Sequence, residues 1–355
     1  MKKVFAVTAA LALLGLGIAA QAAITIETVA VGNPGNTGEL SGEGAGGYGP
    51  DRICGSVAYN YNIGKYEVTA AQYCDFLNKV AATDTYGLYN IYMDQGYGSH
   101  GCNIQRTGTS GNYSYSVANN STDGYWANRP VNGVSYWDAC RFANWLHNGQ
   151  PTGLQDASTT ERGAYTLDGY NGQDGRTIGR NAGAKWAVTS EDEWYKAAYY
   201  KGGGTNAGYW DYPMQSDIPT TPSNDITNPD GGNNANFYQD GFTIGSPYWR
   251  TEVGEFENSE SAYGTFDQGG NVWEWNEAIV YGGSAYRGLR GGSFDGDNVF
   301  TLEASARNND SPALEYGSLG FRVSEVPEPS SIVALLGGLA GLLGIRRRRA
   351  QPFAR

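Results

Sequence analysis

Residues 263–277 read YGTFDQGGNVWEWNE. Gly269 and Gly270 mark a tight turn, because glycine adopts backbone conformations that other residues avoid. Asn271-Val272-Trp273-Glu274-Trp275 follows as a short run of β-forming residues and reads as a strand. The same pattern of turn and short strand recurs outward from this stretch. Ile24–Val31 alternates with a β-branched bias, Ser56–Tyr66 is strand-like, and so is GFRV at 320–323. Gly32–Asp51 between the first two is a Gly/Pro/Asn-rich loop. Three short helices carry start signals. Thr69 and Gln72 form a capping box before AAQYCDFLNKV, whose Tyr73, Phe76, Leu77 and Val80 fall on one stripe. Ser135 caps YWDACRFANWLH, which is apolar on nearly every side and so belongs deep in a core. Ser190 and Glu193 open EDEWYKAAYY with a second box. No internal repeat and no linker interrupts residues 24–325, so the body reads as one α+β domain made largely of loops.

Composition agrees. Of 355 residues 52 are Gly, about twice the usual share, and 46 are aromatic. That aromatic content excludes a disordered chain. The formal charge is −12, but the ends carry seven of the 24 basic residues and only one of the 36 acidic ones. The body between them is therefore near −18. Such a surface repels phosphate backbones, which argues against a nucleic-acid partner.

The two ends read as addresses. Residues 1–22 begin with Lys2 and Lys3, continue through an apolar run and close on Ala20-Gln21-Ala22, the pattern of a signal peptide cut after Ala22. At the other end, Val326-Pro327-Glu328-Pro329-Ser330 precedes an apolar stretch and Arg346–Arg349. Seventeen uncharged residues separate Glu328 from Arg346, about 25 Å as a helix, which is marginal against a hydrocarbon core of about 30 Å. The motif, the short helix and the basic tail over residues 326–349 resemble the PEP-CTERM sorting signal of Gram-negative bacteria. The resemblance implies transient inner-membrane association through a short transmembrane helix. It also implies an exosortase partner, and final placement in the outer envelope or outside the cell.

Within the body, six landmarks follow in order: GKYEVTAAQYCDFL (64–77), RPVNGVSYWDACRFANWL (129–146), KWAVTSEDEWYKAA (185–198), YGTFDQGGNVWEWNE (263–277), RGLRGGSFDG (287–296) and GSLGFRV (317–323). Together they resemble the formylglycine-generating enzyme, or sulfatase-modifying factor, domain family, across nearly the whole of residues 24–325. The resemblance implies a loop-rich variant of the C-type lectin fold. Members of that family oxidise a sulfatase cysteine to formylglycine, using oxygen and copper held by two cysteines. Thiolates suit that role because soft sulfur selects Cu(I). The pair lies three and eight residues beyond the serine of the GGS segment. Here the serine is Ser293 and the two positions hold Gly296 and Thr301. No copper is expected, and no catalytic residue can be assigned.

The same resemblance implies calcium as a structural cofactor. Asp267, Glu274 and the carbonyls of Gly270 and Val272 match one family site. Asn236 and the carbonyl of Phe237, with Asp240 as a third candidate, match another. Calcium takes six to eight hard oxygens, and a Gly turn lets carbonyls point inward. The alternative for the first site is a core turn with Trp273 and Trp275 buried and Glu274 paired to an arginine.

Cys54, Cys74, Cys102 and Cys140 show no CxxC spacing, which disfavours zinc. Cys74 and Cys140 are a candidate disulfide, and buried free thiols are the alternative. His100 and His147 do not form an iron-binding pattern, and His147 reads as a cation at a helix C-terminus. Glu191 and Glu193 read as helix N-terminal charges. The function expected is an exported, non-catalytic module that binds a peptide or glycan, or serves structurally, with a groove beside Ser293, Gly296, Thr301 and Arg307. Abundant Tyr and Trp suit such binding, although aromatics also fill cores. The alternative is an oxidase of the formylglycine-generating type, or another enzyme with a rewired centre.

Overall fold

A computed structural model describes residues 23–118, 126–280, 285–296 and 298–327. The expected signal peptide (1–22), and the expected transmembrane helix with its arginine tail, lie outside the described residues. Among the described residues, no helix is long and apolar enough to cross a membrane.

The chain opens with β1 (Thr28–Val31), β2 (Glu39–Ser41), β3 (Arg52–Cys54) and β4 (Tyr61–Gly64), then helix α1 (Ala70–Val80). A hairpin of β5 (Ile104–Thr107) and β6 (Ser114–Val117) precedes α2 (Tyr136–His147). After β7 (Trp186–Val188) and α3 (Glu191–Tyr199), long loops lead to β8 (Trp273–Val280) and β9 (Tyr286–Arg290). The short strands β10 (Asn308–Asp310), β11 (Leu319–Gly320) and β12 (Val323–Glu325) complete it. One four-stranded sheet runs β1-β4-β12-β7 and a second runs β10-β9-β8-β11, so the fold is α+β with little regular structure.

All three helices start where their caps indicate. Thr69 and Gln72, and Ser190 and Glu193, exchange the reciprocal bonds of a capping box. At Ser135 the box is closed by Asp138, whose carboxylate accepts from the Ser135 N–H at 2.9 Å. The sequence reading found only the serine there. Eleven of the twelve α2 residues are buried, as its all-round apolar character requires. Tyr73 and Phe76 of α1 meet Phe142 and Trp145 of α2, with Phe321 closing the cluster. Truncating one such ring costs about 3–5 kcal/mol, so this cluster anchors the helices to the sheets.

The strand ends differ from the sequence reading. The first strand begins at Thr28, because the Gln150 side chain brackets the Ile24 backbone instead: Ile24 N–H donates to Oε1, and Nε2 donates back to the Ile24 carbonyl. GFRV divides between β11 and β12, since Arg322 must turn inward between them.

Candidate functional site

The segment 287–307 builds two different environments. On one side is a buried ion cluster. Arg290, at the end of β9, and Arg307, just before β10, converge on Glu191 at the start of α3. Arg290 reaches Oε1 at 2.7 Å, Arg307 reaches Oε1 and Oε2 at 2.7 and 2.9 Å, and Arg52 reaches Oε2 at 3.0 Å. Burial alone would raise the Glu191 carboxyl, but Arg290, Arg307 and Arg52 outweigh it and hold the group near 2. Glu193 is likewise held near 2 against burial, chiefly by Arg180. Both lie in the first turn of α3, as helix N-terminal charges should, but they are buried and paired to arginines as well. Both hold the core together. Arg307 therefore belongs to this cluster and leaves the groove.

On the other side is a turn. Gly291 and Gly292 have φ of 95° and 77°, and a Cβ on Gly292 would stand 2.6 Å from Thr301 Oγ1. The absent side chain lets residues 298–302 fold back over the turn. A Cβ on Gly296 would stand 3.4 Å from the same oxygen, so positions 296 and 301 face each other. Ser293 Oγ donates to Asp295 Oδ1 at 2.7 Å, and Thr301 Oγ1 donates to the Asn298 carbonyl at 2.9 Å. The structure thus joins three of the four expected groove residues.

An aromatic shelf adjoins this turn. Phe294 contacts the His100 ring at 5.3 Å, His100 contacts Trp249 at 4.9 Å, and Trp249 contacts Phe242 at 4.8 Å. Phe242 is 43 % exposed, and His100 and Trp249 are half-buried. Trp249 has φ of 62°, a left-handed conformation that is costly for a bulky residue. Such strain persists where surrounding structure enforces it, and it concentrates at binding sites. Partial burial lowers the His100 pKa, which favours the neutral imidazole. Below the shelf, the fully buried Arg250 donates to the carbonyls of His100 and Gly101 at 2.7 and 3.0 Å. Six of the nine tryptophans are buried, so the core accounts for those, and Trp249 is one of the three left. Nothing in the sequence around Tyr248-Trp249 separated it from the others.

At 267–274, Glu274 is not free to ligate calcium. Glu274 is fully buried, with Arg322 Nε at 2.6 Å and Trp194 Nε1 at 2.8 Å on Oε2, and Arg322 Nη2 at 2.7 Å on Oε1. Asp267 accepts from the Gly254 N–H at 2.6 Å. The geometry matches the alternative, a core turn with Glu274 paired to an arginine. Val272, Trp273 and Trp275 are buried with it, and Gly270 (φ 91°) lies where a Cβ would strike the Asn236 carbonyl. At the second site Asn236 Oδ1 has no partner, but the Phe237 carbonyl already accepts from Thr243 and Asn224, and Asp240 is exposed. One free oxygen is far short of calcium's six to eight. Among the described residues, no group of three or more His, Cys, Asp or Glu is placed to hold a metal ion.

All four cysteines are buried free thiols, so the structure does not form the Cys74–Cys140 pair. Burial pushes Cys54 up to about 11 and Cys74 up to about 12, and also raises Cys102 and Cys140. Burial and a raised pKa both lower the reactivity of a thiol. His147 Nδ1 accepts the Lys185 N–H at 3.0 Å.

Comparison with known proteins follows the same lines. The model of the sulfatase-modifying factor enzyme 1-like domain matches residues 52–326, and that of the PEP-CTERM protein-sorting motif matches 325–349. No curated protein matches the chain significantly. Solved structures resemble it too, among them the following. The crystal structure of CarF is 21% identical, covers 86% of this chain and 99% of its own, and gives a TM-score of 0.47. Treponema denticola variable protein 1 is 18% identical over 84% and 95%, with a TM-score of 0.48. PvdO from Pseudomonas aeruginosa is 19% identical over 84% and 92%, with a TM-score of 0.41.

Proposed function

The chain belongs to the sulfatase-modifying factor enzyme 1-like domain family, and we propose that it is a non-catalytic, ligand-binding member of it. Its PEP-CTERM motif is a sorting signal of the kind exosortase recognises, and it implies export through the envelope. The finer reading places the mature chain in the outer envelope or extracellular matrix after a brief stay at the inner membrane.

One observation carries the non-catalytic part. Positions 296 and 301 face each other across the turn, as a two-thiolate copper site would need, yet they hold a glycine and a threonine. All four thiols are buried and hold their protons tightly. Ser293 gives its hydrogen bond to Asp295, while the His100 ring stands edge-on to Phe294. Among the described residues, no histidine nitrogen bonds Ser293 to take its proton.

The binding part rests on the shelf of His100, Phe242 and Trp249 beside the exposed Asp295. Half-exposed rings give flat apolar contact to a sugar or peptide, and Asp295 offers hydrogen-bond acceptors. The acidic body favours a neutral ligand over an anionic one. Affinity electrophoresis of the mature chain through neutral polysaccharides, with titration of neutral peptides alongside, tests this. The Trp249→Ala variant is expected to bind at least about tenfold more weakly with an unchanged melting midpoint, as loss of one stacking ring implies. Equal binding by both proteins, or by neither, would refute the reading.

A further inference from the structure

The domain runs into its sorting motif without a spacer. β12 is an interior strand: Ser324 lies opposite Ile63 of β4 and Ala187 of β7, and Glu325 opposite Asn62 and Trp186. Val323 and Ser324 are fully buried. Val326 is still held, for its N–H donates to the Lys185 carbonyl at 2.8 Å and its side chain packs on the cluster of Val57, Tyr61 and Ile63. The domain match ends at 326 and the sorting match begins at 325. From Val326 the apolar run is reached at Ile332, at most about 20 Å away for an extended chain at roughly 3.3–3.6 Å per residue.

Freeing more chain would mean drawing β12 out of the middle of its sheet. That breaks ladder bonds on both sides, bares Val323 and leaves the unpaired edges of β4 and β7 buried. The motif is therefore read beside the folded body. At that place Val326 and Pro327 form a ridge between two hollows. One, of about 520 Å³, is lined by Asn60, Asn62, Lys185 and Glu325 among others. The other, of about 200 Å³, is lined by Tyr59, Arg180 and Asn181 among others. Asn60 and Lys185 are exposed. Asn62 and Asn181 already donate to Glu325 and to Gly163 and Thr166, so the exposed Asn60 and Lys185 are the groups that suit a polar partner surface carrying hydrogen-bond acceptors.

We propose that this exit rim, Asn60, Asn62, Asn181 and Lys185 around Val326, is a docking surface for the enzyme that processes the sorting motif. The tail and the folded domain are then recognised together. The inference rests on the sorting reading given above, and one experiment separates the two. The full chain is co-expressed with an exosortase system, and the fraction of tail removed is followed by mass over time. Three chains are compared: the unaltered one, one with six Gly/Ser residues inserted between Glu325 and Val326, and the double variant Asn60→Arg/Lys185→Glu. Resistance of the body to trypsin confirms that each is folded. Both altered chains are expected to be processed at least about fivefold more slowly, since each removes the body from the recognised surface. Processing of either altered chain at the unaltered rate, or faster, overturns the docking surface and leaves the sorting reading intact. Failure of the unaltered chain to be processed overturns both.

Discussion

Within residues 287–307 the same stretch of chain serves two regions of opposite character. Arg290 and Arg307 point into a cluster where one carboxylate, Glu191, answers three guanidinium groups and is almost fully buried. Between them in sequence, Ser293, Gly296 and Thr301 form a turn held by single hydrogen bonds, from Ser293 to the Asp295 carboxylate and from Thr301 to a backbone carbonyl, next to half-exposed rings. The ion cluster flanks the turn on both sides in sequence and fixes where it stands. On the proposed reading, glycine at 296 and threonine at 301 sit on a scaffold whose buried ion pairs lie elsewhere.

The contrast is broken most severely from the cluster side. Glu191→Ala leaves buried arginines without their shared partner, and is expected to cost about 3–5 kcal/mol in denaturant unfolding. Thr301→Ala removes one neutral hydrogen bond and is expected to cost about 1 kcal/mol. Similar costs for the two would erase the distinction.

Acid sharpens it. Glu191 and Glu193 titrate near 2 when folded and near the ordinary 4.5 when unfolded. Their contribution is present above pH 4.5 and is lost as the pH falls from there towards 2. The acid limb of a thermal-stability profile should therefore be steep, and it should flatten in the Glu191→Ala chain. Glu67 opposes this trend. Both its oxygens are buried without a partner, and burial together with the Asp267 charge raises its pKa well above the usual range. Its protonated form favours folding, so its penalty appears as the pH rises above about 4.5.

The smallest effect expected is that of calcium. An ion held at a hundred times its Kd would stabilise the fold by about 2.7 kcal/mol. With Glu274 already taken by Arg322 and Trp194, EDTA is expected to leave the melting midpoint unchanged, as differential scanning calorimetry would show.

Much of the fold was legible because its signals are local. Capping boxes at Thr69 and Ser190, the burial of α2 and the turn at Gly269-Gly270 each depend on a few neighbouring residues. The apposition of positions 296 and 301 was legible through the family resemblance. What escaped depends on partners far apart in the chain. Arg307 meets Glu191 across 116 positions, and Arg322 meets Glu274 across 48. No spacing rule links such pairs, so Arg307 passed for a groove residue and the arginine partners of Glu191 stayed unseen. Trp249 escaped because its shelf is assembled from loops around residues 100, 242 and 294.

The central claim is that the scaffold persists without the oxidase chemistry. Its most direct test is oxidation of a sulfatase-type cysteine peptide by the mature chain, loaded with copper under oxygen and followed by mass spectrometry of the peptide. The expected result is an unmodified peptide, since the facing positions offer no sulfur and the thiols are buried. Repeated turnover to the aldehyde would contradict it.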